Sequence, residues 1–483
     1  MVPHADPSTE LVVREVAVPA RALASLLPLV GPERFALLRD AASEAGGALS
    51  GRTVWNVNST AAGGGVAEML RVLIGYTLDA GIDVRWGVMA GDPHFFVVTK
   101  RIHNRLHGHP GDGGPIDRAH AEHYREVTAQ NAASLAGRVR PGDVVILHDP
   151  QTAGMAARLA DAGAHVVWRC HVGRETSNEW TDQAWGFLRE HLEPCEAFIF
   201  SLRAYVPSWV DPGRLWIIPP SIDPFSPKNQ ELDPSVVRLV LESLGLVAGS
   251  HGTATFTRSD GTVGQVERRA TIVSEEAAPL QAGAPLVLQV SRWDRLKDMA
   301  GVMEAFAAHV PGRCEAHLAL VGPSVGDVSD DPEEEEVYGE CVAAWEALPA
   351  AVRRRISLVT LPMDDIDENA AMVNAIQRYS TVVVQKSLEE GFGLTVAEGM
   401  WKQKAVVASR VGGIVEQIAG GTGVLVDDPF DLTVFGRTLA DLLDRPEEIA
   451  ALGHRARQHV LQGFVGDVHL GRYAELMLAL IRG

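Results

Sequence analysis

Short apolar runs rich in β-branched residues alternate with stretches of helical spacing along almost the whole chain, and few folds accommodate this pattern. In the first half, the runs that we interpret as strands are residues 54–58, 82–88, 143–148, 165–170 and 196–201. Helical spacing fills the intervals, as in 66–80 and 152–162. Strands that alternate with helices predict βαβ units around a buried parallel sheet.

The alternation stops at a turn-rich passage, 218–224, and then starts again. The later runs of strand type are 286–290, 316–321, 356–360, 381–385 and 405–408. Because 483 residues are too many for one ordinary core, we predict two domains, 1–222 and 223–465. Each is an α/β, doubly wound, Rossmann-like domain, and ligands are expected in a cleft that the carboxyl ends of both sets of strands face. Residues 253–273 alternate around Ser259-Asp260-Gly261, which predicts a hairpin insertion near 250–275.

The charge balance excludes some partners. With 43 basic and 62 acidic side chains the formal charge is −19, so we expect no broad surface for nucleic acid and none for an anionic membrane. The four cysteines form no CxxC pair, which favours free thiols in a reducing compartment. Neither a signal peptide nor an apolar run of spanning length is recognisable, and we therefore expect a cytoplasmic protein.

Three glycines, Gly63, Gly64 and Gly65, separate the first predicted strand from the first helix. Glycine lets backbone N–H groups approach a phosphate, and a helix N-terminus favours an anion. The spacing is not GxGxxG, which disfavours a dinucleotide site. A phosphate-facing loop and a simple tight turn both fit the pattern, and we favour the first.

A second motif follows the strand at 286–290 and contains Arg292 and Lys297. Arginine offers a forked donor and lysine a point charge, so the two could converge on a diphosphate at the edge of the sheet. The alternative is a surface pair of cations beside Asp294 and Asp298, and the spacing alone does not separate the two interpretations.

A third motif combines a glycine-rich turn, a helix start and two carboxylates, Glu390 and Glu398. Gly391 and Gly393 open the backbone at the N-terminus of a helix that we expect to begin near Phe392, which is again an anion site. A carboxylate suits a ribose or sugar diol, because it accepts from two hydroxyls. Two solvated glutamates near a capped helix are the less favoured alternative.

The histidines divide into two groups. His103, His107 and His109 have no cysteine or carboxylate to complete a ligand set, so no metal site is expected. His148 and His171 each end a predicted strand of the first domain, where side chains face the ligand. A structural role remains the alternative for both.

The third motif resembles the E-x7-E signature of family 4 glycosyltransferases, and Arg292 and Lys297 resemble the basic pair of that family. Further stretches are similar to the trehalose glycosyltransferring synthases, and the similarity covers nearly the whole chain. These stretches are 58–70, 148–151, 168–171, 219–224 and 411–414.

The resemblance implies a GT-B fold in which the C-terminal domain binds the nucleotide sugar, the N-terminal domain binds the acceptor, and a last helix, 466–483, rejoins the N-terminal domain. It implies that NDP-glucose and a small sugar acceptor, glucose, give trehalose with retention and with no cofactor or metal. The residues implied as catalytic are Arg292, Lys297, Glu390 and His171. Those implied at the donor are Gly64, Gly65, Arg292, Lys297, Gly391, Phe392, Gly393, Leu394, Thr395 and Glu398. Those implied at the acceptor are His148, His171 and Arg174.

The sequence departs from the family where His171-Val172-Gly173-Arg174 replaces a His-Ile-Asp stretch. This change concerns the acceptor more than the donor. The alternatives that we retain are a trehalose phosphorylase and a related transferase for another polyol or pseudo-sugar. A non-catalytic sugar-nucleotide binder ranks below them, because Arg292, Lys297, Glu390 and Glu398 are all present. A homodimer stays open.

Overall fold

The computed structural model describes residues 12–61, 64–249, 252–280, 283–325 and 333–482. It divides into two compact units. The first contains the described residues up to Ser221 together with those from Gly466 onwards, and the second is Ile222–Val465. Within the described ranges, every helix is too short or too polar to cross a bilayer. All four cysteines are free thiols.

The first unit is built on a seven-stranded sheet in the order β1-β3-β2-β4-β5-β6-β7. Its strands are β1 Arg14–Val16, β2 Val54–Asn58, β3 Val84–Val88, β4 Val144–His148, β5 His165–Cys170, β6 Ala197–Phe200 and β7 Leu215–Ile217. All pairs are parallel except β1 with β3. The central strands β2 and β4 are buried at every residue, which explains the apolar sequence of β4 up to His148, whereas β2 also buries Asn56 and Asn58.

Helices cover both faces of this sheet. They are α1 Leu27–Ala48, α2 Gly64–Asp79, α3 Pro93–Leu106, α4 Arg118–Ala136, α5 Asp149–Thr152, α6 Ala156–Asp161, α7 Glu179–Leu192 and a C-terminal helix, Gly466–Arg482. Tyr473, Leu476 and Met477 of the C-terminal helix are buried in the same core cluster as Leu70 and Ile74 of α2. This helix therefore completes the first unit, although 244 residues of the second unit precede it.

The second unit repeats the architecture with a sheet in the order β10-β13-β12-β11-β14-β15-β16. Its strands are β8 Thr255–Thr257, β9 Val263–Gln265, β10 Thr271–Val273, β11 Leu286–Val290, β12 His317–Pro323, β13 Ile356–Leu361, β14 Val382–Gln385, β15 Ala405–Ser409 and β16 Val424–Val426. Only β10 runs antiparallel in this sheet, and β8 and β9 form a separate two-stranded hairpin.

The helices of the second unit pack on both faces of its sheet. They are α8 Pro234–Leu244, α9 Met299–His309, α10 Glu333–Glu346, α11 Ala350–Arg353, α12 Ile366–Tyr379, α13 Leu394–Trp401, α14 Ile414–Gln417, α15 Leu432–Leu443 and α16 Pro446–Gly463. The hairpin is held at the start of α12, where Arg258 bonds both carboxylate oxygens of Asp365 at 3.0 and 2.7 Å. Ser259 bonds Asp367 through its backbone and its hydroxyl.

The prediction of two doubly wound α/β domains is confirmed, and most predicted strands agree with the structure to within two residues. The stretch 152–162 differs, since a 3-10 turn at Ala153–Met155 interrupts the helix. The hydroxyl of Tyr124 donates to Pro150 O at 2.6 Å and accepts from Gly154 N at 3.1 Å. It thereby occupies the two groups that would form a helical i to i−4 bond.

Candidate functional site

Lys297 and Glu390 are 93 residues apart and form an ion pair in the second unit. The Nζ of Lys297 lies 2.7 Å from Oε2 of Glu390, and the side chains are only 16% and 12% exposed. Ser387 Oγ donates to the same carboxylate oxygen at 3.1 Å. Because β11 and β14 are parallel neighbours, the segments that follow them start at the same edge of the sheet.

Gln289 joins these two segments. Its Nε2 donates to Lys297 O at 2.7 Å, and its Oε1 accepts from Lys386 N at 3.1 Å. A backbone bond from Leu388 N to Leu296 O, 2.7 Å long, adds a third connection. The sequence signal for this role is a glutamine in an otherwise apolar predicted strand, and the structure shows that this glutamine is fully buried.

A second buried lysine supports the turn that carries Lys297. Lys386 is 1% exposed, and its ammonium bonds the carboxylate of Asp298. Asp298 has a φ of +44° and caps α9 by accepting from Gly301 N at 3.1 Å. The ammonium of Lys386 thus holds the backbone just after Lys297, a role that no motif in the sequence indicates.

Helix α13 begins at Leu394, two residues later than expected, with Gly393 as its N-cap at a φ of +80°. No side chain in the described part of the chain caps this end, and although Val396 N bonds Gly393 O at 2.9 Å, the N–H groups of Leu394 and Thr395 have no capping oxygen. A Cβ at Gly393 would lie 3.1 Å from Cγ of Glu390. The glycine therefore lets an uncapped helix start lie directly against the Lys297–Glu390 pair, which is favourable for an anion.

Glu398 lies one turn into α13, not two as expected, and is only 4% exposed. Its Oε1 is 3.8 Å from Nζ of Lys228, and its Oε2 is buried without a hydrogen-bond partner among the described residues. Behind it, Lys402 Nζ donates to Asn229 Oδ1 at 2.9 Å, and burial lowers the pKa of Lys402 to about 7. The orphaned carboxylate oxygen is a place for a ligand hydroxyl.

The remaining donor candidates make contacts of their own. Arg292 is about half exposed and contacts Asp294 at 3.4 Å. Gly391 O accepts from Gly413 N, and Phe392 O accepts from Gln417, so both peptides are held in place before α13. In the first unit, Gly64 and Gly65 begin α2.

His148 and His171 come together at the ends of β4 and β5 of the first unit. Their rings are stacked at 11° with centroids 5.3 Å apart, and His148 Nδ1 is 3.0 Å from His171 Nε2. His148 Nε2 is 3.1 Å from Oδ1 of Asn56, a buried residue of β2. The third acceptor candidate, Arg174, packs against Gly108, where a Cβ would lie 2.2 Å from its Nη1.

These histidines are neutral. Burial holds the pKa of His148 and His171 well below the usual range, and the positive charge of Arg169 lowers both further. Arg169 is completely buried and bonds the hydroxyl of Tyr473, Ile218 O and the ring of His469. The C-terminal helix thus supplies two of the partners of a charge that influences the histidine pair.

Asp149 is a further group that the sequence analysis did not select. It has a φ of +62°, and its Oδ1 accepts from His171 N at 2.8 Å. Burial raises the pKa of its carboxyl to about 7. Its carbonyl accepts from Trp168 Nε1 at 3.1 Å, so Asp149 holds the indole of Trp168 on β5 as well as the backbone N–H of His171 just after β5. Across the described ranges, no group of histidine, cysteine and carboxylate side chains has the arrangement of a metal site.

Two family models match the chain. Residues 56–207 match the N-terminal domain of trehalose synthase, and residues 274–459 match the glycosyl transferases of group 1. A solved α,α-trehalose-phosphate synthase (UDP-forming) from Burkholderia vietnamiensis superposes with a TM-score of 0.64 over 89% of this chain and 98% of that one. At 16% identity this likeness shows the fold alone, which is GT-B as expected.

Curated relatives resemble the chain over nearly its full length. It is 34% identical to a trehalose synthase of Rubrobacter xylanophilus, covering 92% of this chain and 94% of the relative. It is 31% identical to a trehalose synthase of Pyrococcus horikoshii, covering 97% and 99%. The chain therefore belongs to the trehalose synthase family of GT-B glycosyltransferases.

Proposed function

We propose that this protein is a retaining glucosyltransferase that moves glucose from NDP-glucose to glucose and forms trehalose. The observation that carries the proposal is the Lys297–Glu390 pair, 2.7 Å apart beside the uncapped start of α13. A cation, a carboxylate and backbone N–H donors at one edge of the sheet suit a sugar diphosphate. The cation and the N–H groups can bind the negative diphosphate, and the carboxylate can accept hydrogen bonds from the sugar hydroxyls.

The leaving diphosphate gains negative charge as its bond to the anomeric carbon breaks. Lys297, Arg292 and the backbone N–H groups of 391–395 would act on this charge, and interactions that strengthen in the transition state accelerate the reaction. Gly64 and Gly65, at the start of α2, are proposed to approach the donor through their backbone. Cations and backbone donors are enough for this task, so we propose that no metal is required.

The two glutamates would bind hydroxyls. Glu390 is proposed to contact the donor sugar, and Glu398 the ribose of the nucleotide. The buried Oε2 of Glu398, which has no protein partner among the described residues, supports the second assignment. A hydroxyl that donates to this oxygen would satisfy a group that is costly to leave unpaired.

The acceptor is proposed to bind at His171, with His148 behind it and Arg174 nearby in sequence. In a front-face reaction the acceptor oxygen bonds to the anomeric carbon on the face that the phosphate oxygen leaves. That phosphate oxygen takes the acceptor proton, so no protein base is needed. A neutral His171 suits this role, because it orients a hydroxyl without removing its proton.

The experiment is a transfer assay with UDP-, ADP- and GDP-glucose against glucose and a panel of other polyols. Proton NMR of the product identifies the linkage and the anomeric configuration. We expect α,α-trehalose from at least one donor. A product with inverted configuration, or no transfer to glucose, would contradict the proposal. Release of glucose 1-phosphate from trehalose and inorganic phosphate, without nucleotide dependence, would identify a phosphorylase instead.

A further inference from the structure

Asn56 and the two histidines form a continuous hydrogen-bonded row across three neighbouring strands of the first unit. Asn56 Oδ1 is 3.1 Å from His148 Nε2, and His148 Nδ1 is 3.0 Å from His171 Nε2. Asn56 and His148 are each 1% exposed, whereas His171 is partly exposed. Only the last member of the row can therefore reach a ligand.

The row determines where the protons lie. The amide oxygen of Asn56 can only accept, so Nε2 of His148 carries the proton. A neutral imidazole has one N–H, so His148 Nδ1 is a bare acceptor, and the nitrogen that donates to it is Nε2 of His171. His171 is neutral as well, because burial and Arg169 lower its pKa. Its Nδ1 then carries a lone pair and no proton.

The backbone holds the first member of the row in place. Asn56 is the middle residue of β2 and is paired with Trp86 of β3 on one side and Ile146 of β4 on the other. A residue in the centre of a parallel sheet is among the least mobile parts of a fold. Nothing in the row besides His171 needs to move when a ligand binds.

We propose that Asn56 is a positioning residue, which acts through His148 to fix His171 as the tautomer with a proton on Nε2 and a lone pair on Nδ1. His171 then binds a sugar by accepting a hydrogen bond from one of its hydroxyls. This inference rests on the proposed function for the identity of the sugar, but the tautomer itself does not depend on any reaction.

The first test reads the tautomer directly in the substrate-free protein. Histidine-selective ¹⁵N labelling, with His171→Gln to assign the signal, distinguishes a bare from a protonated ring nitrogen. We expect a bare Nδ1 and a protonated Nε2 for His171. The reverse pattern, or a doubly protonated ring at neutral pH, would overturn the proposal. Because no turnover is measured, this result stands even if the protein fails to make trehalose.

The second test removes the first member of the row. Asn56→Leu should change the ¹⁵N pattern of His171 and lower kcat/KM for the acceptor about 10- to 100-fold, by analogy with the loss seen when the hydrogen-bond partner of a metal-binding histidine is removed. Binding of the nucleotide product, measured by calorimetry, should stay the same. Normal kcat/KM, with an unchanged His171 pattern, would overturn the proposal.

Asn131→Leu is the matched control. Asn131 is also completely buried in the first unit, where it bonds Ala90 N and Ala90 O at 2.9 and 2.8 Å. The Asn131→Leu variant loses a comparable buried amide, but Asn131 is not part of the hydrogen-bonded row. The ¹⁵N signal of His171 should therefore not change. Equal loss of acceptor kcat/KM in both variants would assign Asn56 a merely structural role. If Asn56→Leu does not fold, the ¹⁵N pattern of the unaltered chain decides.

Discussion

Replacing Lys297 by methionine removes one charge from the Lys297–Glu390 pair while keeping most of the volume of the side chain. If Lys297 stabilises the departing diphosphate, loss of this donor should reduce kcat about 100- to 1000-fold, which corresponds to about 2.7–4 kcal/mol of transition-state stabilisation. The assay is the rate of NDP release at saturating donor and acceptor. A near-normal kcat under these conditions would refute the assignment.

The same substitution has a cost in stability that must be separated from the catalytic effect. Glu390 is 12% exposed and would lose a charge-assisted hydrogen bond of 2.7 Å, which contributes about 1.5–3 kcal/mol. In a unit of this size, each kcal/mol lowers Tm by about 2–4 °C. Lys297→Met should therefore unfold roughly 3–12 °C earlier but remain folded at the temperature of the assay.

Arg295→Met provides a matched control from the same turn. Arg295 and Lys297 belong to one 3-10 turn and carry the same charge, but Arg295 pairs with Glu336 at 2.9 Å and Glu340 at 2.7 Å on α10. It is 46% exposed, and such surface pairs contribute little. Its substitution should change the free energy of unfolding by no more than about 0.5 kcal/mol. It should leave kcat nearly unchanged, because the ion-pair partners of Arg295, Glu336 and Glu340, are on α10. A large loss in both variants would show that the charge of the turn matters, not the contact of Lys297.

Further outcomes follow from the same sites. Transfer should persist in excess EDTA, and loss of activity that Mg²⁺ or Mn²⁺ restores would contradict metal-free stabilisation of the diphosphate. His171→Ala should abolish most transfer yet leave NDP affinity in calorimetry unchanged, and a collapse of affinity would move His171 to the donor side. The free energy of unfolding, measured in urea, should fall as the pH is lowered from about 7.5 to about 5.5. His148, His171 and His469 have lowered pKa values in the folded protein, so over this range the unfolded chain binds more protons than the folded chain. Asp149, with a pKa raised to about 7, binds about one proton in the folded state over the same range and so offsets part of this loss. A free energy of unfolding that rises as the pH falls would contradict the prediction.

The fold was predictable because most of its strands are buried on both faces and are therefore rich in apolar residues, although β2 and β11 also contain the buried polar residues Asn56, Asn58 and Gln289. Where the prediction failed, a distant residue was responsible. The helical spacing of 152–162 is real, but the Tyr124 hydroxyl comes from α4 and interrupts the helix by bonding Pro150 and Gly154. The spacing of apolar residues within 152–162 cannot predict a hydrogen bond to a hydroxyl that lies 30 residues earlier in the chain.

The candidate site was predictable to the level of residue types and strand ends. Lys297 and Glu390 could be selected because each follows a predicted strand, 286–290 and 381–385. The start of α13 could be selected because Gly391 and Gly393 precede it. The contact between Lys297 and Glu390 could not be predicted, because it depends on how Gln289 joins two segments about 90 residues apart. Burial of Glu398 and its orphaned oxygen likewise depends on packing and not on spacing.

The charged and neutral groups of the two units divide according to the chemistry that each is proposed to handle. A leaving diphosphate changes its charge during the reaction, so groups that carry charge, such as Lys297 and Arg292, lower the barrier. A sugar hydroxyl stays neutral while it is being positioned. A neutral imidazole with a defined lone pair can accept its hydrogen bond, whereas a protonated imidazole cannot. Arg169 helps to maintain this neutrality, because its positive charge adds to burial in disfavouring protonation of His148 and His171. The same charge also favours the ionised form of the Asp149 carboxyl, whose Oδ1 accepts from His171 N at 2.8 Å. Arg169 therefore acts on the His148–His171 pair and on the carboxyl that holds the backbone of His171.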